Sequence, residues 1–166
     1  MLKGLNAIVT GSTSGIGLGI ANVLASKGAN LVINGFGDAA AIEAERANLE
    51  AKYGVKVVYS GADISKPADV KAMVELCVSS FGSVDILVNN AGIQYTESVE
   101  AFPAERWDAI IAINLSGIFH AIQAALPHMK AKGFGRIINI ASVHGLIGSV
   151  HKVAYVAAKH GVVGMS

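Results

Sequence analysis

Short runs of valine, isoleucine and leucine alternate along the chain with longer stretches in which apolar residues recur at helical spacing. The runs predict five buried strands, over Leu5–Thr10, Asn30–Asn34, Val55–Ser60, Asp85–Asn90 and Arg136–Ala141. The longer stretches predict helices near Ile16–Lys27, Asp38–Tyr53, Pro67–Phe81 and Ala104–Lys132, and a last helix from near Lys152. Apolar strands joined by helices are typical of a parallel sheet covered on both faces, so we expect an α/β fold with a doubly wound sheet.

Glycines lie where the first four predicted helices end. Gly28, Gly54, Gly82 and Gly133 each follow one of these helices, at the position where a left-handed residue often closes a helix. Pro67 suits the first turn of the third helix. Neither a linker nor an internal repeat interrupts this order, so we expect the whole chain, residues 1–166, to form one domain.

Composition argues against several classes of protein. Of the 166 residues, 52% are hydrophobic and 15% are charged, which is not the composition of a disordered chain. The formal net charge is +1 and basic residues are not clustered, so nucleic acid is not an expected partner. The single cysteine, Cys77, suits a reducing compartment and the N-terminus lacks a signal-peptide pattern, so we expect a cytoplasmic protein.

The longest apolar stretch, Ala109–Leu126, is not expected to cross a membrane. Four polar side chains interrupt it, at Asn114, Ser116, His120 and Gln123. Asn114 stands among apolar neighbours, although asparagine is a poor helix former and a buried amide must find partners. It is therefore either a satisfied core amide or a local distortion of the helix that holds a water molecule.

A glycine-rich turn, Thr10–Gly17, connects the first strand to the first helix. Its glycines follow the spacing G-x-x-x-G-x-G, which lets the backbone approach a ligand at the positive end of a helix. The spacing matches neither G-x-G-x-x-G nor a P-loop, and the turn lacks the G-x-S-x-G elbow of a hydrolase. Its position after the first strand favours a phosphate-binding turn over an ordinary tight connection.

The segments after the second and third strands bear on the choice of cofactor. An acidic residue after the second strand would accept hydrogen bonds from the ribose hydroxyls of NAD, whereas a basic one would select the 2′-phosphate of NADP. Asn34–Asp38 contains neither lysine nor arginine, which favours NAD. Asp38 either contacts the ribose or caps the next helix, and Asp63 either contacts adenine or is a turn residue.

Tyr155 and Lys159 are the most informative pair in the chain. They stand four residues apart, so both project from one face of a helix, and Ser142 precedes the tyrosine by thirteen residues. A cation beside a phenol stabilises the phenolate and favours proton transfer near neutral pH. The spacing also arises by chance, so the pair needs support from other motifs.

Those motifs together resemble the short-chain dehydrogenase/reductase family. The resemblance rests on Thr10–Gly17, Asn89–Gly92, Asn114, Ser142 and the pair Tyr155 and Lys159, and it covers nearly the whole chain. It implies a Rossmann-type fold and nicotinamide-dependent oxidation of an alcohol or reduction of a ketone. The implied catalytic residues are Asn114, Ser142, Tyr155 and Lys159: the tyrosine exchanges a proton with the substrate oxygen, the serine donates a hydrogen bond to it, the lysine holds the ribose, and the asparagine anchors a water.

The resemblance also implies a set of residues that bind NAD. Besides Tyr155 and Lys159 they are Gly11, Thr13, Gly15, Ile16, Gly17, Phe36, Asp63, Ile64, Asn90, Ala91 and Gly92. The helices at Ala104–Lys132 and after Lys152 pack against other subunits in the family, so a homotetramer is implied as well.

Candidate substrate contacts cluster around Tyr155. Gln94 follows the Asn-Asn-Ala-Gly turn, and the loop after Ser142 carries His144, His151 and Lys152, so these donors suit a small anionic hydroxy or keto acid. The implied substrate-binding residues are Gln94, Ser142, His144, Lys152 and Tyr155, as in family members that oxidise (R)-3-hydroxybutyrate. A 3-oxoacyl thioester reductase of the same family is the alternative. We expect no metal site, since no carboxylate or cysteine completes one with the histidines.

Members of the family are longer than this chain. We therefore expect the family's C-terminal strands and the lid over the nicotinamide to be missing, and the sequence to be a portion of a longer chain. A non-catalytic fragment that binds only dinucleotide or partner subunits is a second hypothesis.

Overall fold

The computed structural model describes all residues from Met1 to Ser166. Five short strands form one parallel sheet in the order β3-β2-β1-β4-β5. The strands are β1 (Asn6–Val9), β2 (Asn30–Asn34), β3 (Val57–Ser60), β4 (Ile86–Asn89) and β5 (Arg136–Asn139). All five predicted strands are confirmed, although most are shorter at their ends than the apolar runs suggested.

Helices connect the strands. They are α1 (Gly15–Ser26), α2 (Ala39–Tyr53), α3 (Pro67–Phe81), α4 (Ala104–Ile111), α5 (Gly117–Lys132) and α6 (Val153–Met165). A π-helical turn, Ala112–Ser116, joins α4 to α5, so the predicted long helix is continuous but locally widened. Gly54, Gly82 and Gly133 close α2, α3 and α5 in the left-handed conformation, as predicted.

The sheet is covered on both faces, and alternate strand residues point to opposite sides. On one face Ile8, Val32 and Leu87 pack with buried residues of α3 and α5, including Val74 and Ala125. On the other face the core contains the strand residues Ala7, Val9, Leu31, Ile33 and Val88, together with Ala21 of α1 and Leu49 of α2. The predicted doubly wound α/β sheet is confirmed.

The strand order reverses at β1, which pairs with β2 on one side and with β4 on the other. Ligands of such sheets bind beyond the carboxyl ends of the strands at this point. The loops after β1, β2, β3 and β4 all reach this edge, and α6 packs beside it against Ile110 of α4 through Ala154 and Ala158.

One helical stretch, Ala104–Lys132, is long and apolar enough to cross a membrane. Of its most apolar part, 33% is buried inside the protein. The sequence had suggested that its polar side chains would make it too polar for that role. In the structure this stretch packs against α3 and α6, and the same composition is found in core helices of folded domains.

Candidate active site

The glycine-rich turn is tightly packed against the loop after β4. A Cβ at Gly17 would lie 2.1 Å from the carbonyl oxygen of Gly11 and 2.5 Å from Nδ2 of Asn90. Gly11 itself has φ +62° and would place a Cβ 2.9 Å from the Cα of Ala91. These glycines are therefore required by close approach of the backbone and, at Gly11, by a left-handed conformation.

The start of α1 is open to a ligand. Ser14 is the N-cap residue, but no side chain caps the helix, and its first turn carries no acidic residue. The amide of Leu18 bonds to the carbonyl of Ser14 at 3.1 Å, and the amides of the helix before it have no helical partner. An uncompensated helix start of this kind suits a phosphate group.

A cleft of about 460 Å³ lies between this turn and the loops after β2, β3 and β4. Nine of the residues predicted to bind the cofactor line it: Gly11, Thr13, Ile16, Phe36, Asp63, Ile64, Asn90, Ala91 and Gly92. Gly15 and Gly17 do not line it, since Gly15 is exposed at the start of α1 and Gly17 is buried beneath the turn. Neither lysine nor arginine lines the cleft.

Two polar residues that the sequence did not single out as site residues hold the cleft together. The Thr10 hydroxyl accepts hydrogen bonds from the backbone amides of Asn90 (2.9 Å) and Ala91 (3.0 Å). Asn34, the last residue of β2, accepts one from the amide of Gly11 at 3.2 Å. The signal was present, because Asn34 is a lone amide at the end of an apolar run.

The two candidate acidic residues have local partners. Asp38 caps α2, since its carboxylate accepts from the amide of Ala41 at 2.9 Å, which favours the capping alternative. Asp63 Oδ1 accepts from the hydroxyl of Ser65 at 2.7 Å and from its amide at 2.9 Å, as in an Asx turn. These bonds, with the nearby Lys66, lower the pKa of Asp63.

Asn114 is fully buried in the π-helical turn. Its Oδ1 accepts from the amide of Ile93, and its Nδ2 donates to the carbonyl of Ile93, both at 2.8 Å. The helix is distorted at this residue and its amide is satisfied, so both interpretations of the sequence describe part of the structure. The carboxamide binds the loop after β4.

Tyr155 and Lys159 project from one face of α6. The ammonium of Lys159 lies 5.6 Å from the centre of the Tyr155 ring and donates to the carbonyl of Ile140, just after β5, at 2.5 Å. Lys159 is 4% exposed, and its burial lowers the pKa of its ammonium group. The Tyr155 side chain is half-buried and its hydroxyl makes no hydrogen bond within the chain. A phenol free to meet a substrate therefore stands beside an anchored cation.

Ser142 and His144 belong to a short turn that packs against α6, the helix of Tyr155. The Ser142 hydroxyl accepts from the amide of His144 at 3.2 Å and caps the short 3₁₀ turn Val143–Gly145. The His144 ring meets the Tyr155 ring edge to face, with ring centres 6.2 Å apart. Nδ1 of His144 is buried without a partner, so Nε2 is the ring nitrogen left to meet a ligand.

The remaining predicted substrate contacts are less constrained. Gln94 is exposed in the loop after β4, and Lys152 is partly exposed as the residue before α6; neither side chain bonds to another residue. His151 adopts φ +59°, and its carbonyl accepts from the amide of Glu97 at 2.9 Å. No three metal-ligating side chains lie together in the structure.

Two other features do not belong to this constellation. A larger groove of about 720 Å³ runs along another face of α6, lined among others by Val153, Val156 and His160. Of the candidate donors around Tyr155, only His151 lines it. Cys77 is a core thiol, and burial with the nearby Asp85 charge raises its pKa to about 12.

The sequence is similar to those of known proteins. A family model described as short chain dehydrogenase matches residues 5–166. The chain is 60% identical over 166 residues to a D-beta-hydroxybutyrate dehydrogenase of Cupriavidus necator, covering 100% of this chain and 64% of that protein. It is 52% identical over 160 residues to an enzyme of the same name from Rhizobium meliloti, covering 96% and 62% respectively.

More distant relatives also match nearly the whole of this chain. A 3-oxoacyl-[acyl-carrier-protein] reductase of Staphylococcus aureus is 41% identical over 161 residues, covering 97% of this chain and 65% of that protein. The crystal structure of a putative short-chain alcohol dehydrogenase from Sinorhizobium meliloti superposes with a TM-score of 0.93 at 32% identity, covering 99% of this chain and 64% of the other.

The chain thus spans a little under two thirds of the length of these relatives. Within that span the parallel sheet, the glycine-rich turn and the helix bearing Tyr155 and Lys159 form one continuous match from residue 5 to residue 166. The chain belongs to the short-chain dehydrogenase family.

Proposed function

We propose that the protein interconverts (R)-3-hydroxybutyrate and acetoacetate with NAD, and that Tyr155 is its general acid and base. The observation that carries this proposal is the placement of the Tyr155 ring beside the buried ammonium of Lys159, 5.6 Å away, with the phenol unbonded. The unbonded phenol is thereby placed to take a proton from an alcohol or to return it.

The substrate is proposed from the relatives and from the residues around Tyr155. The two D-beta-hydroxybutyrate dehydrogenases are named for the same (R) enantiomer. Gln94 in the loop after β4, and His144 and Lys152 between β5 and α6, supply an amide, an imidazole and an ammonium group. These donors suit a carboxylate, so we assign them to the acid group and Ser142 to the reacting oxygen.

In the proposed reaction the side chains of this protein handle the proton and the orientation of the substrate. The Tyr155 hydroxyl, as phenolate, accepts the proton from the substrate hydroxyl during oxidation and returns it during reduction. The Ser142 hydroxyl donates a hydrogen bond to the same substrate oxygen. Lys159, fixed on the carbonyl of Ile140, holds the positive charge in place, so no reorganisation is needed when the phenolate forms.

NAD is proposed as the cofactor, and its nicotinamide supplies or accepts the hydride. The open start of α1 would hold the pyrophosphate, and the cleft lined by Phe36, Asp63 and Asn90 would hold the adenosine. The absence of lysine and arginine from the cleft wall leaves no partner there for a 2′-phosphate, which favours NAD over NADP. Lys66 is paired with Asp63, which lines the cleft, at 3.6 Å.

For Asn114 we propose a supporting role. Its carboxamide ties the loop that carries Gln94 to the π-helical turn through both bonds to Ile93. This leaves the main chain of the widened turn as the part of Asn114 able to hold a water for proton relay.

We also propose a homotetramer in a reducing, cytoplasmic compartment. Large apolar side chains remain exposed on the helices that the family uses between subunits, including Trp107, Phe119 and Val163 at 38%, 48% and 39%. The only cysteine is a buried free thiol. Sedimentation of the protein would give its mass, and a stable monomer would contradict the assembly.

The activity is tested by following NADH formation with each enantiomer of 3-hydroxybutyrate and with a 3-hydroxyacyl thioester, using NAD and NADP in turn. We expect turnover with the (R) acid and NAD. Turnover with the (S) acid alone would overturn the substrate assignment. Preference for the thioester and NADP would instead support the 3-oxoacyl thioester reductase, the alternative that the Staphylococcus aureus relative supports.

The second alternative is a chain that binds dinucleotide without catalysis. Calorimetric titration with NADH, carried out beside the turnover assay, separates the two. Binding without turnover would favour this alternative, and absence of both would contradict the assignment of the cleft to a dinucleotide.

A further inference from the structure

The side chain of Asn34 makes three long-range hydrogen bonds at the cleft. Asn34 is the last residue of β2 and is 1% exposed. Its Oδ1 accepts from the amide of Gly11 at 3.2 Å, and its Nδ2 donates to the carbonyls of Ser60 and Ala62, both at 3.0 Å. One side chain thus ties the loops after β1 and β3 to the end of β2.

Only a carboxamide of this length satisfies that arrangement. The site needs one acceptor on one side and two donors on the other, which aspartate, leucine and serine do not offer. Because the position is buried, each group left without its partner would cost about 1–3 kcal/mol, so the backbone would shift to find water or another partner. Gly11 and Ala62 both line the cleft and would move with it.

Gly35, the residue after Asn34, explains why the shape of the cleft wall depends on Asn34. A Cβ at Gly35 would lie 2.3 Å from Oγ1 of Thr13, so no acidic side chain can stand there to meet a ribose. The carbonyl of Gly35 is instead held by the hydroxyl of Tyr59 at 2.8 Å. The adenosine end of the cleft is therefore shaped by main chain that other residues must fix in position.

We propose that Asn34 is a positioning residue for the adenosine half of the dinucleotide, acting through the loops after β1 and β3 that its buried side chain ties to the end of β2. This rests on the proposed NAD function of the cleft. It separates the recognition of adenosine from the Tyr155 and Lys159 chemistry, which depends on α6 and β5.

Asn30 offers a matched control on the same strand. It is the first residue of β2, and its amide also bridges neighbouring segments: Nδ2 donates to Oδ1 of Asn6 at 2.9 Å, and Oδ1 accepts from the amide of Lys56 at 3.0 Å. It lies at the opposite edge of the sheet, about 13 Å from Asn34 at the usual rise of a strand. Its loss removes bridges of the same kind far from the cleft.

The test compares Asn34→Ala, Asn34→Asp and Asn30→Ala in the full chain. Dissociation constants are measured by calorimetry for NADH, AMP and reduced nicotinamide mononucleotide, and the melting temperature is measured without ligand. For both Asn34 variants we expect NADH and AMP to bind about tenfold or more weakly, and the mononucleotide to bind as in the wild type. For Asn30→Ala we expect a lower melting temperature and unchanged binding of all three.

Several outcomes would overturn the proposal. They are unchanged AMP binding in a folded Asn34 variant, equal weakening in Asn30→Ala, or equal weakening of the mononucleotide. Asn34→Asp preserves the side-chain volume and the acceptor for Gly11, so it serves if Asn34→Ala does not fold. Failure of both to fold, with Asn30→Ala folded, would mark Asn34 as purely structural. If the wild type binds none of the ligands, the proposed function itself fails.

Discussion

The parallel strands define two edges of the sheet, one where the strands begin and one where they end, and both carry buried polar side chains. The two edges differ in whether neighbouring donors and acceptors remain without a hydrogen-bond partner. At the amino-terminal edge, Asp85 is fully buried, accepts from the amide of Asn6 at 2.9 Å and from the hydroxyl of Ser83 at 3.0 Å, and pairs with Lys132. Asn6 in turn accepts from Asn30. Every strong donor and acceptor of this cluster is used within the chain.

At the carboxyl-terminal edge the buried polar groups brace one another but leave other groups unbonded. The side chains of Thr10, Asn34 and Asn90 are all bonded to backbone groups. Beside them, the hydroxyl of Tyr155 and the amides at the start of α1 have no partner in the chain. A closed polar network stabilises a fold, whereas an open one held in place by a closed one is prepared for a ligand.

The largest effect on activity is expected from a substitution of Tyr155, at the carboxyl-terminal edge. Tyr155→Phe removes only the free hydroxyl, so turnover should fall about 10²–10⁴-fold while the melting temperature stays close to that of the wild type. Steady-state rates with (R)-3-hydroxybutyrate and calorimetry would measure both. Retention of more than about a tenth of the activity would contradict a general acid–base role.

The closed edge should respond in stability alone. Asp85→Ala leaves the amide of Asn6 and the ammonium of Lys132 without their shared acceptor, and we expect the free energy of unfolding to fall by about 3 kcal/mol. Urea unfolding would measure this, and NADH binding by the folded protein should not change. Asp85→Asn, which keeps an acceptor for Asn6, is the milder control. A large loss of NADH affinity would show that the two edges are coupled.

Substitutions in and beside the glycine-rich turn should separate an effect on NADH binding from an effect on stability. Gly17→Ala puts a methyl group 2.1 Å from the carbonyl of Gly11, so the turn must move, and we expect NADH to bind about tenfold or more weakly. Gly19→Ala is the matched control two residues further along α1, where a Cβ meets nothing within 4 Å. It should leave binding unchanged and raise stability by about 0.5–1 kcal/mol. Similar binding by both variants would contradict the close-packed turn.

The smallest expected effect is the pH dependence that Lys159 adds. Burial lowers the pKa of its ammonium in the folded protein below its usual 10.5. Between the folded and the unfolded value, the unfolded chain binds a proton that the folded protein does not, so stability rises with pH there. The penalty for burying the charge is complete below the folded value and is relieved as pH approaches about 10.5.

Lys159→Met, which does not titrate, isolates this effect. The difference in unfolding free energy between wild type and variant should shift in favour of the wild type as pH rises toward about 10.5. Urea unfolding at a series of pH values would measure it. A constant difference would indicate that the ammonium group has its ordinary pKa when folded.

Much of this molecule was determined by the sequence alone. The five strands, the helix ends at Gly54, Gly82 and Gly133, and the edge where the loops meet all follow from local apolar periodicity and from the backbone freedom of glycine. Nine of the predicted cofactor residues line one cleft for the same reason, since the carboxyl ends of parallel strands share an edge.

Tertiary structure decided which of two local roles a polar residue takes. Asp38 accepts a hydrogen bond from a helix amide and Asp63 from a turn amide. The side chain of Asn114 bonds to the main chain of Ile93, and that of Asn34 bonds to segments that are distant in the sequence. Pattern alone could not assign these roles, because the partner of a buried amide or carboxylate is set by which segments the fold brings within 3 Å of it. The hydroxyl of Tyr155 illustrates the converse: it has no hydrogen-bond partner because the packing around α6 brings no donor or acceptor within reach of it.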